Sequence, residues 1–127
     1  MKKIFVMLLL AVMATGMAMA AGKPQIKFVS TSHDFGTIHE KNGRVTAAYE
    51  FTNTGDAPLS IVTVTNGGCG CTKPSYPLEP IAPGKTGVIK ITFDPRGRAG
   101  EFNRTVKVKT NAAKSREKLT FSGVVVP

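Results

Sequence analysis

Val45-Thr46-Ala47-Ala48-Tyr49-Glu50-Phe51-Thr52, followed by Asn53-Thr54-Gly55-Asp56-Ala57-Pro58, decides the fold class. Val45, Ala47, Tyr49 and Phe51 fall on one side of an extended chain, and Thr46, Glu50 and Thr52 on the other, because successive strand side chains point to opposite faces. A helix would need its apolar residues three and four apart. The segment that follows is turn chemistry: Gly55 accepts positive φ, and Pro58 has no N–H to give to a ladder. The stretch therefore reads as a half-buried strand running into a turn.

The same grammar recurs in both directions. Downstream, Leu59 to Thr65 is apolar and β-branched, and Val88 to Phe93 sets Ile89, Ile91 and Phe93 against Lys90 and Thr92. Phe102 to Thr110 puts Val106 and Val108 in and Lys107 and Lys109 out, and Leu119 to Val126 closes the chain with Leu119 and Phe121 in phase. Upstream, Gln25 to Ser30 and Asp34 to Ile38 read as short edge strands. Gly67-Gly68, Pro80, Pro83-Gly84, Asp94-Pro95-Arg96-Gly97 and Asn111 to Lys114 punctuate the runs. About seven strands at such spacing predict an all-β, immunoglobulin-like β-sandwich. The long interval between the Leu59 and Val88 strands implies Greek-key crossings; a small open barrel is the alternative. The expected core is Phe35, Tyr49, Phe51, Ile61, Ile89, Ile91, Phe93, Val106, Val108 and Phe121. No repeat or second domain is visible, so residues 21–127 are expected to form one domain.

Residues 1–20 stand apart from this pattern. Lys2 and Lys3, the apolar run Ile4 to Val12 and the small-x-small site Ala18-Met19-Ala20 have the order of a secretory signal peptide. The run is too short for a comfortable membrane span, and no cysteine nearby offers a lipid attachment point. The expectation is cleavage after Ala20, export to the periplasm or medium, and no membrane span in the mature chain. Loss of Lys2 and Lys3 leaves fifteen of the seventeen basic residues against eight acidic ones, a net of +7. The bases are scattered and are not interleaved with aromatics of the kind that stack nucleobases. The charge reads as a solvated face, with no nucleic acid expected.

Cys69-Gly70-Cys71 is the one unusual motif. In an extended strand these Cα atoms would stand roughly 6.6 Å apart, near the upper limit for a disulfide, and Gly70 gives the chain freedom to pucker. Three readings stay open: a local disulfide, which is preferred, two packed thiols, and a soft-metal site of two thiolates for copper or zinc. Redox catalysis fits less well, because thiol activation favours Cys-x-x-Cys at a helix N-terminus. His33 and His39 would join a metal site only if the fold brought them to Cys69 and Cys71. Asp34-Phe35-Gly36 matches a kinase motif in letters alone, so Phe35 reads as a core plug and Gly36 as a bend. No Ser/His/Asp grouping, carboxylate pair or phosphate-cradling loop appears, so neither an enzyme nor a cofactor is expected.

His33-Asp34-Phe35-Gly36-Thr37-Ile38, Phe51 to Leu59, Cys69-Gly70-Cys71-Thr72, Ile81-Ala82-Pro83-Gly84, Phe93-Asp94-Pro95 and Gly97-Arg98-Ala99-Gly100 together resemble a bacterial family of secreted domains of unknown function that carries a Cys-Gly-Cys-Thr motif. That family looks related to the Hydin-type, major-sperm-protein-like branch of immunoglobulin-like domains. The resemblance covers about Lys27 to Val125. It implies a sandwich and a role in binding or scaffolding, and it transfers no catalytic residues. The expected function is a non-enzymatic exported binding module whose partner is another protein or a cell-envelope component. Its docking surfaces would be the Gln25–Ser30 edge and the Tyr76-Pro77-Leu78 loop. The alternative is a copper- or zinc-binding or thiol-redox accessory protein acting through Cys69 and Cys71.

Overall fold

The chain forms eight strands in the computed structural model, which describes residues 22–127, and most of them follow the alternation of apolar and polar residues. The expected signal peptide, residues 1–20, lies outside the described residues. The strands are β1 (Ile26–Phe28), β2 (Ser32–His39), β3 (Val45–Asn53), β4 (Ile61–Val64), β5 (Thr72–Ser75), β6 (Thr86–Phe93), β7 (Gly100–Thr110) and β8 (Arg116–Val126), with a short 3-10 turn at Glu40–Asn42. They form two four-stranded sheets, ordered β1-β3-β6-β5 and β2-β8-β7-β4. β2 runs parallel to β8, and the other pairs are antiparallel. Leaving β2 aside, this is the two-sheet division of an immunoglobulin sandwich, with the chain crossing between sheets from β3 to β4, β4 to β5 and β6 to β7. Among the described residues no helix is long and apolar enough to cross a membrane.

The eighth strand is β5, which the expectation of about seven strands lacks. Pro74 lies inside β5 opposite Ile91. β5 is a sheet edge, and an edge strand bonds through one side only, so a residue without an N–H is tolerated there.

Every expected core residue is buried except Phe35, which is partly buried and packs against the core. β2 is the reason. Its register shifts between Asp34 and Thr37, Gly36 takes φ +67°, and Asp34 Oδ1 accepts the Gly36 N–H at 2.8 Å. The bulge turns Phe35 onto Phe102 and Phe121, with ring centroids 6.3 and 6.0 Å away. Phe93 and Phe102 stack at 4.5 Å across the sandwich. The core also takes Leu59, Leu119 and Val125.

Two polar groups tie this apolar interior together. The Tyr49 hydroxyl donates to the Thr120 carbonyl at 2.6 Å, bridging the two sheets, and burial pushes its pKa up to about 12. Asn53 is fully buried. Its side-chain amide donates to the carbonyls of Ala57 at 2.8 Å and Ile81 at 2.9 Å, while its Oδ1 accepts the Gly55 N–H at 3.0 Å. Gly55 must be glycine, because a Cβ there would stand 2.2 Å from the Lys23 carbonyl oxygen.

Candidate functional site

The cysteines lie in the turn that carries the chain from β4 back to β5, at the end of the sandwich where β6 stops. Asn66 nucleates the turn: its Oδ1 accepts the Gly68 N–H at 2.9 Å, and its carbonyl accepts the Cys69 N–H at 3.3 Å. Gly67 takes φ +68°, and a Cβ there would come within 2.8 Å of the Thr105 carbonyl oxygen. The geometry has no room for another residue at this position.

Cys69 and Cys71 are joined by a disulfide with Cα atoms 5.2 Å apart. The separation is shorter than in a strand because the segment is a turn, with the Thr72 N–H donating to the Cys69 carbonyl at 3.2 Å. The Cys71 N–H points at Cys69 Sγ, 3.2 Å away. Both residues belong to the buried core, at 9% and 7% exposure. The Asp94 N–H donates to the Cys71 carbonyl at 2.8 Å, which fixes the turn to the end of β6.

No group of three or more His, Cys, Asp or Glu side chains that could hold a metal gathers among the described residues. His33 lies against Phe35, ring centroids 4.5 Å apart, and His39 ends β2 opposite Val126. Neither is brought to the cysteines in such a group. Charged residues of both signs lie near the disulfide instead. Arg44, Gly70, Cys71, Lys73, Thr92 and Asp94 line a depression of about 30 Å³. A wider hollow of about 620 Å³ adjoins it through Arg44 and adds Glu40, Lys41 and Arg96.

Asp94 organises these charges. Its carboxylate accepts Arg96 Nε at 3.1 Å, Arg96 Nη2 at 2.9 Å and the Arg96 N–H at 3.1 Å, with Arg44 Nε at 3.9 Å. The side-chain hydrogen bonds from Arg96, then its backbone hydrogen bond, lower the Asp94 carboxyl to about 2, and Arg96 is raised in return. Glu40 accepts the Gly97 N–H. Lys73 makes no ion pair among the described residues. Cys71 shares the lining of the smaller depression with Arg44 and Lys73.

Sequence reasoning locates the cysteine turn but misses Arg44, Asp94 and Arg96 as its neighbours. The one available signal is Asp94-Pro95-Arg96-Gly97, a turn in which an arginine two residues after an aspartate can fold back onto it.

The family described as "Protein of unknown function (DUF1573)" matches residues 26–125. No curated protein matches the chain. Among solved structures, a protein of unknown function from Porphyromonas gingivalis W83 superposes with a TM-score of 0.68 at 18% identity, over 80% of this chain and 46% of that one. The YadV chaperone gives 0.57 at 14% identity, over 80% and 52%. WR4, an MSP family member from C. elegans, gives 0.50 at 10% identity, over 80% and 97%. The chain thus spans about half the length of the first two. These likenesses show the β-sandwich fold.

Proposed function

The chain belongs to the DUF1573 family, whose function is unknown, and we propose that it is an exported, non-enzymatic binding or scaffolding module. The observation that carries this reading is the exposure of Leu78, 89% accessible in the loop that follows β5. Tyr76 in the same loop is packed against the core, so the loop is anchored while its leucine faces solvent. Sandwich domains dock partners through loops and sheet edges. Val29, 76% exposed just after edge strand β1, gives a second apolar contact point. The test is a photo-crosslinking amino acid at position 78 in living, exporting cells. One discrete adduct is expected, lost when Leu78 carries no crosslinker. Absence of any adduct overturns the reading.

A thiol-redox accessory role is the second reading, favoured by the placement of Cys71 in a wall shared with Arg44 and Lys73. In that chemistry an external thiolate attacks one sulfur, forms a mixed disulfide and expels the other cysteine as thiolate; a second external thiolate then attacks the external sulfur of the mixed disulfide, so that the two external thiols leave joined as a disulfide and Cys69 and Cys71 are both left reduced. Incubation with excess glutathione followed by mass analysis decides it. A glutathione adduct on either cysteine supports exchange, and a disulfide that stays closed until the protein is unfolded removes it.

A further inference from the structure

The outward face of the β2-β8-β7-β4 sheet carries a charge arrangement that folding does not explain. The β7–β8 register sets Lys107 opposite Lys118 and Lys109 opposite Arg116. All four side chains are exposed. Residues directly opposite have Cβ atoms about 4.5–5.5 Å apart, and residues two apart on one strand are separated by about 6.8 Å. The four cations therefore form a tight grid, and like charges directly opposite destabilise a sheet. None of them makes an ion pair among the described residues; the pairs present are Arg44–Asp94, Arg96–Asp94 and Lys114–Glu117. Glu117 lies between Arg116 and Lys118 in sequence, but its carboxylate is engaged with Lys114. Glu101, the acid of β7, is at the far end of that strand opposite Val124.

The neighbours of the grid indicate the kind of partner. Next along the two strands are Thr105 opposite Thr120, then Asn103 opposite Ser122, hydroxyl and amide groups without an aromatic ring to stack a base. On edge strand β4, Thr63 lies opposite Lys109, and Thr65 Oγ1 accepts the Lys107 N–H at 3.0 Å. With Lys107, Lys109 and Arg116 these threonines line an open depression of about 180 Å³. Val62, 54% exposed, falls at the β4 register shift. Three of the four cations are lysines, compact hydrated point charges suited to a diffuse anionic field, whereas bidentate clamping of one anion favours arginine.

We propose that this sheet face docks the chain on an anionic bilayer surface, whose phosphate headgroups supply the countercharges that the fold withholds. The inference rests on the binding-module reading. A planar array of anions meets an outward sheet face over several cations at once, and each basic side chain near such a surface adds attraction that salt screens.

The test uses the mature chain sedimented with vesicles at low salt. Vesicles rich in phosphatidylglycerol take the protein down and release it at about 1 M salt, while pure phosphatidylcholine vesicles leave it in the supernatant. The Lys107→Glu/Lys118→Glu variant binds at least about tenfold more weakly. Lys85→Glu/Lys90→Glu makes the same change in net charge on the β1-β3-β6-β5 side and stays within about twofold of wild type. Thermal melting of both variants verifies that they are folded. Equal weakening of the two variants means that net charge alone drives adsorption and overturns the proposal. So does failure to bind phosphatidylglycerol vesicles, the result expected if the grid serves a soluble acidic protein. In that case an adduct at Leu78 still supports the binding module, so the two failures are distinguishable.

Discussion

The two ends of this sandwich use the same kinds of charge in opposite ways. At the disulfide end, Arg44 and Arg96 converge on Asp94, and Glu40 holds the backbone of Gly97. There the charges come from separate connections, before β3 and after β6, and their pairing holds those connections to each other. At the other end, Lys107, Lys109, Arg116 and Lys118 face one another across β7 and β8 without an acid. The first arrangement accounts for itself as structure. The second costs the fold something, and that difference points outward to a partner. A net charge of +9 for the whole sequence hides the distinction, because it averages neutralised and unneutralised bases.

The largest effect expected from breaking the disulfide end is below its surface. Phe93 closes β6, is fully buried and stacks on Phe102. Phe93→Ala should lower stability by roughly 3–5 kcal/mol, read by urea unfolding. A loss under about 1 kcal/mol means that the two sheets do not meet at this ring.

The crosslink above it should matter less. Reducing the Cys69–Cys71 disulfide in the folded protein should cost roughly 1–2 kcal/mol at most, because the loop-closure contribution falls with loop length and only Gly70 intervenes. Melting with and without reductant measures it, and Cys69→Ala/Cys71→Ala keeps the sites apolar as a control. A loss as large as that of Phe93→Ala makes the crosslink a structural staple and leaves the redox reading without a motive.

The ion pairs at this end should appear as pH dependence. The Asp94 carboxyl is held at about 2 in the folded chain, below the ordinary value of 3.8. A group depressed on folding adds stability that is fully present above its unfolded pKa and is lost as pH falls through the folded one. Wild type should therefore lose melting temperature between about pH 4 and pH 2, and Arg96→Gln should flatten that decline by releasing Asp94 toward its usual value. An unchanged slope means that Arg96 does not set the Asp94 equilibrium.

How far these contrasts could be read from the sequence depends on what sets each one. β3, β6 and β8 were legible because Tyr49, Phe51, Ile89, Ile91, Leu119 and Phe121 keep a strict period of two. The cysteine turn was legible through its glycines. β5 was not: Thr72-Lys73-Pro74-Ser75 has no apolar alternation, and its strand character comes from pairing with β6. Phe102 does not read as core in the sequence because Arg104 interrupts its phase on β7, and Arg104 is only partly buried opposite Phe121. The grid was invisible for a deeper reason. Each of its bases reads singly as a solvated residue, and only the β7–β8 register brings them face to face, since a one-residue slip sends every side chain to the other side.

The smallest expected effect has the opposite sign, and it tests the contrast between the ends most directly. Lys118 faces Lys107 across a strand pair in which like charges repel. Lys118→Glu turns that repulsion into attraction, so the variant should be more stable than wild type by about 0.2–1 kcal/mol, with the gain shrinking as salt is added. A charge reversal at Asp94 has no such prospect, because Asp94 is already paired. A natural residue whose reversal stabilises the fold is one the fold does not need, which is the pattern expected where stability is traded for function. Thermal melting of Lys118→Glu at low and high salt measures the effect. A lower melting temperature at low salt would mean that the lysine side chain packs favourably along the sheet, and the grid would then be ordinary structure like the cluster at the other end.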